Sequence, residues 1–137
     1  MKRSRIILLV VLVLAAVGGW VAWRMYERPV QQAADAQADI TIDAAALLQA
    51  FQGDEVAAGK QYNDKVLQVA GRVREVSVAA GSPTTVYLET GDAMAGISCE
   101  FPAGVDVPAM TGADVKVKGF CAGYNLDVEL KRCAIVE

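Results

Sequence analysis

The chain has 137 residues, 54% of them hydrophobic, and a formal net charge of −3 at pH 7. This length leaves room for one small domain. The charge is unevenly shared, because residues 29–137 contain eight basic and fifteen acidic residues and have a net charge of −7. Nucleic-acid-binding proteins need clustered positive charge to meet phosphates, so the composition argues against that class.

The first predicted element is an apolar segment near the amino terminus. Residues 6–23, IILLVVLVLAAVGGWVAW, are uncharged, and a helix needs about 20 apolar residues to cross a bilayer. Basic residues are denser before this segment than after it, which keeps an amino terminus in the cytoplasm. We therefore predict a cytoplasmic basic end (1–5) and a transmembrane anchor (6–26) in the inner, or cytoplasmic, membrane. The carboxy-terminal domain is then periplasmic or extracellular.

A cleaved secretory signal is the alternative interpretation of this segment. Residues 6–14 would form its apolar core, and Ala16-Val17-Gly18 would form a small-residue cleavage site. Trp20 and Trp23 fit an interfacial anchor better, because amphipathic aromatic rings favour the membrane surface. No cysteine follows the apolar run at short range, which excludes a lipoprotein signal. Both interpretations place the domain outside the cytoplasm, either anchored or secreted after cleavage.

Residues 27–42 are predicted to form a tether, because most of them are small, polar and aperiodic. The domain is predicted over residues 43–137, and it begins with one or two short helices. Asp43 and Asp54 are suited to cap them, and Gly53 interrupts the helical pattern between them. The apolar stripe of the first helix is Leu47, Leu48 and Phe51.

From residue 65 the hydrophobic period changes to two, which predicts β-strands. Turn residues divide this region into five strands, at 66–78, 84–90, 97–101, 113–120 and 126–136. The first strand contains Gly71 and needs an irregularity near Arg74-Glu75 to keep its valines on one face. Five short strands favour a closed barrel, which leaves no exposed edges. The predicted fold class is mainly β: a five-stranded OB-fold Greek-key barrel after the short helices and the transmembrane helix.

Several segments resemble the tRNA_anti-like family, whose members are exported OB-fold proteins, usually membrane-anchored or lipoproteins. These segments are ALLQAF (46–51), DEVAAGKQYNDK (54–65), VAGRV (69–73), ISCEF (97–101), VKVKGFC (115–121) and VELKRC (128–133). The resemblance implies an OB fold and brings no catalytic residues. The family name reflects the anticodon-binding domain of tRNA synthetases, so it implies nucleic-acid binding as an alternative function. This chain departs from lipoprotein members because it lacks the lipid-bearing cysteine.

Three cysteines, Cys99, Cys121 and Cys133, lie in the domain that should meet an oxidising compartment. The chain has no histidine to serve as a base and no C-x-x-C motif, so thiol catalysis is not indicated. A zinc site would need a fourth ligand, and we predict no metal and no cofactor. We predict a disulfide between Cys121 and Cys133, because the fifth strand folds back along the fourth. All three side chains face inward, Cys133 only if its strand slips at Lys131-Arg132.

Two features mark a candidate binding surface. OB barrels bind ligands across strands two and three and the nearby loops, where Tyr87 and Tyr124 are expected. Both rings could stack on a flat ligand or anchor a partner. A second feature is a stripe of outward cations, Lys116 and Lys118 with Arg72 and Arg74 on the neighbouring first strand, which could bind an anion. Alternatively, they pair with Asp127 and Glu129 across the strands.

The sequence predicts no enzyme, because its carboxylates lie singly in turns or on outward strand positions. The predicted function is a membrane-tethered, extracytoplasmic and non-catalytic OB-fold module. It would act as a binding or adaptor protein that recognises a protein or small ligand of unknown identity. The alternative is an OB domain that binds single strands or tRNA anticodons, although nucleic acid is not the expected partner at this charge.

Overall fold

The first structural unit is a single helix. The computed structural model describes residues 2–26, 32–108 and 111–137, in two units that divide after residue 30. Helix α1 (Lys2–Tyr26) contains an 18-residue apolar window with a mean hydropathy of 2.7, and none of this window is buried. At about 1.5 Å per residue this length suffices to cross a bilayer core. The prediction of an apolar helix is confirmed, and the choice between anchor and signal stays a prediction.

The second unit begins earlier than the sequence predicted. After a 3-10 helix (Ala33–Asp35), strand β1 (Ile40–Asp43) pairs in parallel with β2 (Val66–Ser77). The Asp39 carboxylate accepts a hydrogen bond from the Val66 amide at 2.9 Å. This corrects the tether predicted over 27–42, because residues 32–42 belong to the folded unit. Residues 27–31 of that range lie outside the described part of the chain.

Two short helices follow, as the glycine between them predicted. Helix α2 (Ala44–Gly53) buries the apolar stripe Leu47, Leu48 and Phe51. Helix α3 (Glu55–Tyr62) begins at Asp54, whose side chain accepts a hydrogen bond from the Ala57 amide at 2.9 Å. This bond satisfies one of the free donors at the helix start.

Five strands close into a barrel. Beside β2, the strands are β3 (Thr84–Leu88), β4 (Ile97–Phe101), β5 (Asp114–Asn125) and β6 (Asp127–Val136). Their order is β2-β3-β4-β6-β5, and pairing of β5 with β2 closes the circle. Only the β4–β6 pair is parallel within the barrel. The predicted OB-fold barrel is confirmed.

Strands β2 and β6 each contain irregular positions that affect how the barrel packs. The register of β2 shifts between Val73 and Glu75, as the sequence predicted. Gly71 leaves room for α2, because a Cβ at this position would lie 3.0 Å from the Ala44 Cβ. Arg132 has a φ of 53°, and the register of β6 slips beside it, so Cys133 faces inward.

The interior of the barrel is apolar. Twenty buried residues from α2, α3 and the strands form one cluster, and among the described residues no polar or charged residue is buried. Apart from three thiols, the interior therefore offers no reactive groups. Any binding chemistry must lie on the outer surface.

Candidate binding face

Three neighbouring strands present a row of polar side chains on the outside of the barrel. We call this surface the β3–β4–β6 face, and it consists of Thr85, Tyr87, Ser98, Glu100, Glu129 and Lys131. Tyr87 is paired with Ser98, and Ser98 with Glu129, so the row crosses all three strands. A groove of about 190 Å³ runs along it. This is the surface that OB barrels commonly use for ligands.

An arginine lies over the aromatic ring of this face. The guanidinium of Arg74 is 5.9 Å from the centroid of the Tyr87 ring. The bulge in β2 positions Arg74, because the register shift lies at this residue. A cation over an aromatic ring is attracted by the electron-rich face of that ring. The sequence marked Tyr87 by strand parity but grouped Arg74 with the outward cations of the first and fourth strands, whereas the structure places it over Tyr87.

Charges on and beside the β3–β4–β6 face balance one another. Arg74 and Lys131 supply two positive charges, and Glu100 and Glu129 supply two negative ones. The Lys131 ammonium lies 4.0 Å from a Glu129 carboxylate oxygen. An exposed pair of this kind contributes little to stability, so both groups can turn to a ligand.

A second hollow continues the face towards β5. It has a volume of about 440 Å³, shares Glu100 and Lys131 with the first groove, and includes Asp64. There the Arg132 guanidinium lies 4.1 Å from the centroid of the Phe120 ring. Two arginine–aromatic pairs thus lie in or beside the two hollows, and the carboxylate of Asp64 keeps the charge of this region balanced.

The structure corrects the predicted place of Tyr124. Its ring stacks on Phe51 of α2, with centroids 5.7 Å apart and planes inclined by 25°. Phe51 also contacts Tyr62, at 5.9 Å between centroids. The exposed tip of the hairpin is Leu126 instead. Tyr124 therefore packs against the core and is not brought to the β3–β4–β6 face.

Three of the predicted cations lie on a different part of the barrel. Arg72, Lys116 and Lys118 form what we call the β2–β5 wall. Arg72 Nε lies 3.5 Å from Asp114 Oδ1, and the Lys118 ammonium donates a hydrogen bond to the Ala34 carbonyl at 3.4 Å.

Acidic side chains lie beside the cations of the β2–β5 wall. A groove of about 470 Å³ beside Arg72 and Lys116 is also lined by three carboxylates, Asp43, Asp114 and Glu137. The predicted pairing with Asp127 and Glu129 is wrong, because the residues opposite Lys116 and Lys118 on β6 are Val136 and Ala134.

All three cysteines are buried thiols, so the predicted Cys121–Cys133 bond is absent. The hairpin turn sets Cys121 opposite Leu130, which leaves Cys133 three positions further along β6. Three strand residues span about 10 Å, whereas bonded cysteines need Cα atoms within about 7 Å. The Cys121 thiol instead donates to the Asn63 side-chain oxygen at 3.6 Å.

The environment raises the pKa of two of these thiols, Cys121 and Cys133. Burial raises the pKa of Cys121. A hydrogen bond with Cys99, together with burial, raises the pKa of Cys133. A thiol with a raised pKa is a poor nucleophile, because the thiolate is the reactive form. Among the described residues, no group of three or more potential ligands could hold a metal ion.

Comparison with known proteins identifies both fold and family. A similar structure is that of a "putative nucleic acid-binding lipoprotein" from Klebsiella pneumoniae subsp. pneumoniae MGH 78578. It has a TM-score of 0.60 and 17% sequence identity, and the match covers 74% of this chain and 100% of that one. At this identity the likeness shows the fold alone. No curated protein matches. The tRNA_anti-like family model matches residues 1–135, and this chain therefore belongs to the tRNA_anti-like family.

Proposed function

We propose that this chain is a membrane-anchored, extracytoplasmic OB-fold module that binds a polypeptide partner through the β3–β4–β6 face. One observation carries the proposal: an aromatic–cation pair, Arg74 over Tyr87, adjoins Lys131, Glu100 and Glu129, so that two positive charges meet two negative ones. Tyrosine and arginine are the residues that most often anchor protein interfaces. Balanced charges suit a polypeptide, which presents both signs, better than a phosphate backbone.

The shape of the site supports the same conclusion. Apolar side chains fill the barrel interior. The β3–β4–β6 face lies on the open outer wall of the barrel and is not an enclosed cavity. Small molecules are usually held in concave pockets that bury most of their surface. A shallow polar row with aromatic anchors offers more to an extended or folded polypeptide.

The module is proposed to be non-catalytic. Nucleophilic catalysis by a thiol needs a thiolate, and burial raises the pKa of Cys121.

Membrane anchorage is proposed from α1 and the charges beside it. The Klebsiella protein is named a lipoprotein, and this chain has an apolar helix in place of a lipid-bearing cysteine. The basic residues before residue 6 support a cytoplasmic amino terminus. A reporter fused after Glu137 that is active only outside the cytoplasm should be active. Activity of a cytoplasm-only reporter at the same position would contradict this orientation.

Single-stranded nucleic acid is a second candidate ligand. Two arginine–aromatic pairs, Arg74 with Tyr87 and Arg132 with Phe120, resemble surfaces on which bases stack. The name of the Klebsiella protein points the same way. The net charge of −7 over residues 29–137 opposes it, because affinity for phosphates depends on an excess of cations.

Site-specific photo-crosslinking separates the two candidates. A photo-reactive amino acid replaces Ser98, at the centre of the face, in the full chain in its own membranes. The control carries the same group at position 118 on the β2–β5 wall. We expect an adduct from position 98 that nuclease leaves unchanged and that position 118 does not give. A nuclease-sensitive adduct would favour the second candidate, and identical patterns from both positions would exclude the face as the site.

Direct titration tests the second candidate on its own. Fluorescent single-stranded RNA and DNA are added to the protein at about 50 and 200 mM salt, a range over which a nucleic-acid-binding protein loses affinity steeply. We expect no binding at either concentration. Salt-sensitive binding that is lost in Tyr87→Ala would overturn the polypeptide proposal.

A further inference from the structure

A leucine stands at the tip of the β5–β6 hairpin. Leu126 is 61% exposed and has a φ of 68°. Bulky side chains rarely adopt this left-handed conformation, which glycine and asparagine accept more readily. The side chain thus contributes little apolar burial to the fold, while its backbone is strained. Strained positions of this kind are concentrated at functional sites.

Hydrogen bonds hold two other segments beside this tip. The Asp127 carboxylate, next to Leu126 in the chain, accepts a hydrogen bond from the Gly96 amide at 2.6 Å. Gly96 ends the loop between β3 and β4, and the same loop is joined to α2, because the Gln52 side chain donates to the Asp92 carboxylate at 3.1 Å. The loop therefore lies between the hairpin tip and the end of α2.

Each of these places exposes an apolar side chain. Met94, in the loop, is 77% exposed, and Val56, in the first turn of α3, is 69% exposed. We call Leu126, Met94 and Val56 together the Leu126 surface. Helix α2 adds no charge beside it, because the sequence AAALLQAFQG contains no charged residue. Exposed apolar side chains grouped around one loop are typical of interaction sites, whereas single ones are ordinary.

The charges that border the Leu126 surface are mostly negative. Asp54 and Glu55 stand at the start of α3, and Asp92 lies in the loop; all three residues are exposed. Lys60, one helical turn after position 56, supplies one positive charge. A negative border repels a second copy of the same surface and an anionic membrane, and it attracts a partner with basic residues.

We propose that the Leu126 surface docks a polypeptide segment with an apolar centre and basic flanks. The apolar side chains of the segment contact Leu126 and Met94, and its lysines or arginines lie opposite Asp54, Glu55 and Asp92. Leu126 is the anchor, since the strained turn holds its side chain outward. The module thus has a second docking surface in addition to the β3–β4–β6 face.

Crosslinking with two designed peptides tests the proposal. One peptide has two leucines and a photo-reactive group at its centre and lysines at both ends, and the other has glutamates in place of the lysines. Each is irradiated with the full chain in nanodiscs of uncharged phosphatidylcholine, and the adducts are mapped by mass spectrometry. We expect the lysine peptide to label residues 92–96 and 125–127, about tenfold more than the glutamate peptide does. Equal labelling by both peptides, labelling confined to other segments, or no labelling would overturn the proposal.

Leu126→Asn separates docking from folding. Asparagine accepts the left-handed backbone, so the melting temperature should rise by about 3 °C. The yield of lysine-peptide adduct should nevertheless fall about tenfold, because the apolar anchor is lost. Val78→Ser is the matched control, since Val78 is 71% exposed in the loop between β2 and β3, and it should leave the yield unchanged. An unchanged yield in Leu126→Asn, or an equal fall in Val78→Ser, would overturn the proposal.

Discussion

A strand tyrosine lies at the α2-covered end of the barrel and another on the β3–β4–β6 face, and the two rings have different surroundings. Tyr124 stacks on Phe51 and belongs to the margin of the core. Tyr87 has only the guanidinium of Arg74 near its ring, at 5.9 Å, among the ring contacts of the described residues. The ring of Tyr124 packs against the protein itself, whereas that of Tyr87 is the ring proposed to contact a partner.

This difference shows that strand parity alone does not identify a binding residue. The alternation of side chains along a strand predicts which side of the sheet a residue faces, but a helix can cover that side. Here α2 covers one end of the barrel and leaves the outer wall of β3, β4 and β6 open.

The largest expected effect is the loss of the Tyr124 ring. Tyr124→Ala should lower the free energy of unfolding by about 2–3 kcal/mol, because it removes a large packed ring from beside Phe51. Urea unfolding followed by circular dichroism measures this change.

Tyr87→Ala is the matched control for that substitution. It should cost less than about 1 kcal/mol, since the ring lies on an outer wall and contacts Arg74. Equal losses of unfolding free energy in Tyr124→Ala and Tyr87→Ala would contradict the distinction between the α2-covered end and the β3–β4–β6 face.

Two glycines provide a second comparison between a packed position and an open one. Gly119→Ala should cost about 2 kcal/mol, because its Cβ would lie 2.6 Å from Cys133 Sγ inside a packed wall. Gly53→Ala at the end of α2 has open space around it and should be neutral or stabilising by up to about 1 kcal/mol. Thermal unfolding of both variants checks this, and a destabilised Gly53→Ala would contradict it.

A smaller effect on stability is expected for the Arg74–Tyr87 pair on the β3–β4–β6 face. Arg74→Ala and Tyr87→Leu, made singly and together, form a double-mutant cycle. The coupling energy should be about 0.5 kcal/mol, the value of an exposed cation over an aromatic ring. A coupling above about 2 kcal/mol would show that the pair is part of the fold and not reserved for a ligand.

The smallest effect concerns the loop beside α2. Hydrogen bonds from the Met94 amide and the Gln52 side chain lower the pKa of Asp92 below its ordinary 3.8. Because the pKa of Asp92 is lower in the folded domain than in the unfolded chain, its ionised carboxylate stabilises the folded domain. This contribution is complete above pH 3.8 and is lost as the pH falls through the folded-state pKa. An NMR titration of the Asp92 carboxyl should have its midpoint below 3.8.

Gln52→Ala is the control for this titration. It should move the midpoint upward, towards the ordinary value, since one of the lowering bonds is lost. A midpoint in the natural chain at or above 3.8 would contradict the contact between α2 and the loop.

Local patterns predicted most of the fold. The five barrel strands and the bulge at Arg74 follow from alternation and turn residues, which act over a few positions. Strand β1 was missed, because its four residues gain stability from parallel pairing with β2, which is 27 positions away in sequence. Pairing across such a distance leaves no local pattern.

The site was harder to predict for a related reason. Residues 121–125 contain a glycine and an asparagine and were interpreted as a turn, yet β5 continues through them to a turn at Leu126. Tyr124 was therefore placed at an exposed tip. The cysteine pairing failed because the register slips of β5 and β6 decide which thiols meet. Such slips depend on packing around Gly119, which alternation does not reveal.

The closing seam between β2 and β5 also determines the order in which the domain can fold. Val66 pairs with Phe120 and Arg72 with Asp114, so this seam joins residues 42 to 54 positions apart, whereas the β3–β4 and β5–β6 hairpins are local. Distant pairings form late, because loop closure must come first. In a chain that emerges amino terminus first, β2 has one unpaired edge until β5 has followed it. During that interval the nascent chain is most exposed to aggregation, and a holding chaperone would have most to protect.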